Sequence, residues 1–148
     1  MPTHAEKRQL PWSPDQMYAV VADVIKYPDF LPWCSGARIR KRELIGGKEI
    51  LTADLLISYK MFRETFTSKV TLHPDRPQVD VEYIRGPFRY LNNHWVFESG
   101  AKGGVDVDFF VDFEFRSVLL QKAMAVVFAQ AMERIINAFE KRAEELYG

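Results

Sequence analysis

The chain has 148 residues, enough for one domain with a sizeable core. Apolar residues make up 47 % and charged ones 27 %, an ordinary globular mixture that excludes a disordered or fibrous chain. Basic and acidic residues balance at 20 each, so no global field favours nucleic acid, and DNA is excluded as an expected partner.

Residues 3–10 read as a first strand. Ser13-Pro14-Asp15-Gln16 then gives an N-cap, a proline at the first helical position, an acid on the positive helix end and the Gln of a capping box. Trp12 and Met17 occupy the positions of a hydrophobic staple. Met17, Val20, Val21, Val24 and Ile25 follow the i, i+3, i+4, i+7, i+8 rule for one buried face. Pro28 disfavours helix at Tyr27 and ends it, and residues 28–31 allow only a short second turn before Pro32.

From Gly36 the period changes to two. Residues 36–45 form a basic strand that meets the hairpin signal Gly46-Gly47. In 49–61 Leu51, Ala53, Leu55, Ile57, Tyr59 and Met61 share a face opposite Thr52, Asp54, Ser58 and Lys60. The phase inverts in 62–72, where Phe62, Phe66, Val70 and Leu72 oppose Arg63, Thr65, Thr67, Lys69 and Thr71. Residues 74–77 turn the chain, and Val79, Val81 and Tyr83 mark a strand that Gly86-Pro87 stops. Leu91, Asn93, Trp95 and Phe97 share a face in the next strand. Val105, Val107, Phe109, Val111, Phe113 and Phe115 face one way in the last, with Asp106, Asp108, Asp112 and Glu114 on the other. Ser117 caps a final helix of ~28 residues, ~42 Å long at 1.5 Å per residue. Its apolar stripe runs through Leu120, Met124, Val127, Phe128, Ala131, Met132, Ile135, Ile136 and Phe139.

Strands joined by short turns are antiparallel neighbours, and each has one apolar face, so the helices cover one side only. The expected fold is α+β: one domain over 1–148, with a curled antiparallel sheet of about seven strands gripping the long C-terminal helix. One helix ~10 Å wide does not fill the whole concavity of such a sheet. Periodicity leaves open whether the remaining space is packed solid or forms a tunnel.

Three segments go further. Val20-Val21-Ala22-Asp23-Val24-Ile25-Lys26-Tyr27-Pro28-Asp29-Phe30-Leu31-Pro32-Trp33-Cys34 resembles the N-terminal signature of the coenzyme Q-binding START-domain family. Residues 86–97, Gly86-Pro87-Phe88 followed by Leu91-x-Asn93-x-Trp95-x-Phe97, resemble its second signature, and Phe113-Glu114-Phe115-Arg116-Ser117 its third. The resemblance spans essentially the whole chain. It implies a helix-grip, START-like fold with an internal lipid cavity, bound ubiquinone or a similar polyprenyl lipid, a supporting role in respiration or quinone biosynthesis, and no catalytic machinery or catalytic cofactor. The absence of an N-terminal mitochondrial presequence implies a bacterial member or a mature form. Bacterial relatives sharing the signatures include ribosome-association toxins that block subunit joining, which makes the large ribosomal subunit an alternative partner. Polyketide cyclases share the fold class and leave an enzyme as a third reading.

A polyprenyl quinone is a long apolar tail with a weakly accepting ring. Each buried CH₂ is worth ~0.8 kcal/mol, against about 0.5–1.5 kcal/mol net for a ring hydrogen bond, so tail burial dominates affinity. The expected cavity has Phe128, Met132, Ile135 and Ile136 on the helix wall, and Tyr59, Tyr83, Leu91, Trp95, Phe109 and Phe113 on the sheet wall. The alternative is that these residues pack together as core. Asn93 points inward among apolar neighbours and needs a partner, either loop backbone or a ring oxygen of the ligand. Phe30, Leu31, Trp33 and the Gly86-Pro87-Phe88 loop are expected at the mouth, as gate or membrane-touching elements, or else folded over the sheet edge.

His4, His73, His94 and Cys34 lack ligand-like spacing, so no metal is expected. Lone Cys34 excludes an intrachain disulfide, points to a reducing compartment and reads as a buried structural thiol. Residues 1–8 lack the apolar run of a secretory signal, and no stretch reaches the ~20 apolar residues that span a bilayer. A cytoplasmic protein is therefore expected, with peripheral contact to an inner-membrane surface in keeping with a lipid cargo. Arg38, Arg40, Lys41, Arg42 and Lys48 form a basic patch, either a solvated hairpin or a contact for lipid headgroups or ribosomal RNA.

Overall fold

The switch from period 3.6 to period two, with only short turns between the period-two segments, forces a meander of antiparallel neighbours. The computed structural model, which describes residues 3–59 and 61–148, has this form. The strands are β1 Thr3–Leu10, β2 Cys34–Ile45, β3 Lys48–Tyr59, β4 Phe62–His73, β5 Gln78–Arg85, β6 Phe88–Ser99 and β7 Val105–Phe115. They build one seven-stranded antiparallel sheet in the order β1-β7-β6-β5-β4-β3-β2. The N-terminal strand returns to pair with β7 along Thr3↔Asp112 to Leu10↔Val105. This is the meander that the periodicity predicts, in the strand order expected of a sheet that curls around one long helix.

Helix α1, Pro14–Ala22, begins with the capping box that its sequence encodes. The Ser13 hydroxyl accepts from the Gln16 amide at 3.1 Å, and the Ser13 amide donates to Gln16 Oε1 at 2.9 Å. The helix stops five residues before Tyr27, and Val24–Asp29 continues as a 3-10 helix that contains Pro28. That tightening changes the angular step per residue. Val24 stays buried, but Ile25, expected on the same face, turns out to solvent.

The second helix, α2, runs Val118–Tyr147 behind the Ser117 cap and carries the apolar stripe toward the concave face of the sheet. The stripe is engaged unevenly. Ala131, Met132, Ile136, Phe139 and Ala143 are buried, whereas no residue of 118–130 is. Met61, expected inward by alternation, is 98 % exposed, because it sits in the turn where the β3 phase has ended and the β4 phase has not begun. Lys60, assigned to the outer face, lies outside the described residues.

The β2–β3 hairpin turns on Gly46 and Gly47, both at positive φ (59° and 80°), where a side chain would strain the backbone. On the outer face of the sheet, Asp54 of β3 is covered by the arginines of β2. It accepts from Thr67 Oγ1 at 2.6 Å, Arg38 Nη2 at 2.9 Å and Arg40 Nε at 2.5 Å. Burial alone would raise this carboxyl, but those hydrogen bonds outweigh it and hold the pKa at about 2.

Candidate functional site

Because α2 is narrower than the curl of the sheet, the inward faces enclose space. An inner chamber of about 240 Å³ lies between the concave face, the 24–34 segment and α2. An outer chamber of about 220 Å³ lies between the less engaged part of α2 and the β3–β4 hairpin. Trp33, Ile57, Phe115, Met124 and Ala131 line both, so the two chambers meet there.

The inner wall is almost wholly aliphatic and aromatic, and its few polar groups are held neutral. Tyr27 donates its hydroxyl to the Val21 carbonyl, and burial, then the nearby Cys34 and Asp23 charges, push its pKa well above the ordinary tyrosine range. Burial also raises the Cys34 thiol, opposed in part by a backbone hydrogen bond at Gly36. Trp33 adopts φ 65°, a left-handed conformation unusual for a bulky residue. This sets its indole edge-on to Tyr59, with the Arg134 guanidinium 5.3 Å above the ring.

Of the expected site residues, Trp33, Phe88, Leu91, Asn93, Trp95, Phe109, Phe113, Met132 and Ile135 line the inner chamber, and Tyr59 lines the outer one. Four do not line either chamber. Phe30 packs edge-on against Tyr27 and Phe139 under Arg142, because the 3-10 turn swings it away from the mouth. Tyr83 stands behind the wall, where its hydroxyl accepts from the Phe88 amide at 3.0 Å and its ring meets Phe88. Phe128 packs on Phe113 and His4. Ile136 falls on the far flank of α2, beside Leu10 and Met17.

Phe88 is no gate. It is 4 % exposed at the centre of a ring cluster with Phe66, Tyr83, Phe113 and Phe115. Gly86 allows this, since a Cβ there would stand 2.6 Å from the Phe66 Cβ. Asn93 donates to the Phe110 carbonyl of β7 at 2.9 Å, so its partner is strand backbone rather than a loop.

Comparison with known proteins matches residues 10–140 to the family described as polyketide cyclase / dehydrase and lipid transport. The chain belongs to this family. Within it, the chain is 36 % identical to the ribosome association toxin RatA of Rickettsia prowazekii, over 93 % of this chain and 92 % of that one. It is 34 % identical to the mitochondrial coenzyme Q-binding protein COQ10 homolog B of Xenopus laevis, over 98 % of this chain and 59 % of that longer protein. The solution structure of an 18 kDa protein from Caulobacter crescentus superposes with a TM-score of 0.82 at 34 % identity, covering 100 % of this chain and 99 % of that one.

The family fold places several wall residues that sequence reasoning passed over. Leu55 and Ile57 of β3 and Phe66, Ser68 and Val70 of β4 carry the same inward alternation as the residues that were singled out. Leu31, expected at the mouth, and Val24, expected on the buried helix face, close one side of the chamber together with Tyr27 and Cys34. Among the described residues, no group of three or more His, Cys, Asp or Glu side chains could hold a metal ion, and no helix is long and apolar enough to cross a membrane. The arrangement can enclose a slender apolar molecule.

Proposed function

We propose that this protein binds a polyprenyl quinone, with ubiquinone the favoured member, and carries it without converting it. The observation that carries the reading is the pair of adjoining, largely apolar chambers that share Trp33, Ile57, Phe115, Met124 and Ala131 in their walls. An isoprene unit buried there contributes up to roughly 3 kcal/mol, so a few units suffice for tight binding. The relative named as coenzyme Q-binding supports the same choice. A carrier rather than an enzyme is favoured because the titratable groups on the inner wall, Tyr27 and Cys34, are shifted toward their neutral forms, away from general-base work near pH 7. Beside the outer chamber, Met61, Leu119 and Val126 are exposed apolar side chains, which suits transient contact with a membrane surface where such a cargo resides.

The test is extraction. Protein purified from a quinone-making host and extracted with solvent should yield ubiquinone near one per chain by mass spectrometry. Repeated absence, with no uptake of added quinone, would refute the carrier role.

A second reading, association with the ribosome, is favoured by the relatives named for that property. The basic patch does not strengthen it. Arg38 and Arg40 bind Asp54, Lys41 pairs with Glu43 at 2.9 Å, and Arg42 pairs with Glu49 at 3.0 Å. Co-sedimentation with large subunits at physiological salt decides this reading, and absence from the pellet removes it.

A further inference from the structure

Ser68 sits on the inner face of β4 between Phe66 and Val70, opposite Ala53 of β3 and Tyr83 of β5. It is 1 % exposed and lines the inner chamber, yet its hydroxyl makes no hydrogen bond among the described residues. The hydroxyl opens onto an apolar chamber, where a donor is costly unless it meets an acceptor, and alanine would fill the same place without that need. The other hydroxyl, amide and thiol groups of this wall are engaged: Tyr27 donates to Val21, Asn93 to Phe110, and Cys34 to Gly36. Among these groups Ser68 is therefore the one left over, on a wall it shares with the indoles of Trp33 and Trp95.

We propose that the Ser68 hydroxyl donates a hydrogen bond to an oxygen of the bound ligand, holding a neutral polar head in the inner chamber while the apolar tail runs outward past Ala131. This rests on the carrier reading and adds the ligand's direction and head-group class. The direction follows from distance. Six residues of β4 at ~3.3 Å each place Ser68 roughly 20 Å from Phe62, which lines the outer chamber. At the outer end Gln130 and Arg134 are solvated and need no ligand to satisfy them. The head-group class follows from charge. Among the described residues no Lys, Arg or His lines the inner chamber, so a carboxylate head would stand there unpaired, whereas a ketone, ester or quinone oxygen needs only a donor.

Three probes with the same tail test the assignment: decylubiquinone, decylbenzene and a fatty acid of matching length, titrated against wild type, Ser68→Ala and Ser68→Thr. Ser68→Ala should weaken decylubiquinone by about 2–10-fold and leave decylbenzene unchanged, with Ser68→Thr restoring the loss. In infrared spectra the bound ring carbonyl stretch should move up in frequency in Ser68→Ala. Wild type should bind the ionised fatty acid more weakly than the quinone. Empty Ser68→Ala should melt no lower than wild type, since the group removed has no partner in the protein. A lower melting point, or equal losses for quinone and decylbenzene, would make Ser68 a structural residue and overturn the assignment. Undiminished quinone binding by the variant would overturn it too, with the carrier reading intact. Wild type that binds neither quinone nor decylbenzene would overturn both.

Discussion

Replacing Ala131 with phenylalanine tests whether ligand passes between the two chambers. Ala131 is 4 % exposed and lines both, on the first well-buried turn of α2. A ring at this position occupies the junction, so a tail threading it would lose the burial of about one isoprene unit. At ~0.8 kcal/mol per methylene this amounts to roughly 3 kcal/mol, on the order of 100-fold in affinity. The ring enters existing empty volume, so the folded state should survive, unlike an overpacked core. Trp33 and Trp95 lie on the chamber wall, so quinone binding can be followed by quenching of their fluorescence. In thermal melts, wild type at ligand 100 times its Kd should gain about 2.7 kcal/mol, or roughly 5–10 °C for a domain of this size. At the same concentration Ala131→Phe should gain about 1 °C. A folded variant that binds like wild type would show that the tail does not cross the junction, and the two-chamber path would be wrong.

Asp54→Asn should flatten the acid limb of stability. The Asp54 pKa is about 2 in the folded protein against an ordinary 3.8, so its contribution is present above pH 4 and lost as pH falls toward 2. Shallow placement under two partly exposed arginines trims the effect to roughly 1–2 kcal/mol, readable as the pH dependence of urea midpoints. An unchanged acid limb would show that the arginines do not engage this carboxylate. Gly86→Ala drives a Cβ within 2.9 Å of the Phe66 Cα at φ 146°, and should cost about 2–3 kcal/mol by denaturant unfolding while displacing Phe66 from the chamber wall. Ser13→Ala removes the α1 cap and should cost about 1 kcal/mol, a drop of roughly 2–4 °C in Tm. A loss below a few tenths of a kcal/mol would mean that the staple and the proline hold the helix start unaided.

The fold was legible wherever a local rule has one outcome. Alternation in Val105–Phe115, the Gly46-Gly47 turn and the Ser13-Pro14-Asp15-Gln16 start each name one structure, and the sheet and helices follow. Errors fell where two periods meet. Ile25 was assigned by extending a 3.6-residue period into a segment that winds as a 3-10 helix, and Met61 by extending a strand through its turn. For the site, alternation fixes the face of a residue but not its depth. Leu91 and Trp95 share a face with Tyr83, yet Tyr83 braces Phe88 from behind. Ile136 differs from Ile135 by about 100° around α2 and meets a different wall. Ser68 carried a signal equal to that of Asn93, a polar residue in phase with apolar neighbours, but an isolated serine in a Thr-rich strand does not stand out in a sequence.

The uneven seating of α2 separates how fast cargo exchanges from how firmly it is held. Residues 118–130 have no buried side chain, while Ala131, Met132, Ile136, Phe139 and Ala143 root the remainder in the core. The leading turns can unwind and rewind for little free energy, as a door hung on a fixed post, without disturbing the strands. Amide exchange should fall steeply between Gln130 and Ala131. Helix-weakening glycine substitutions at solvent-facing positions such as Ala123 and Ala125 should raise loading and release rates together and leave Kd nearly constant.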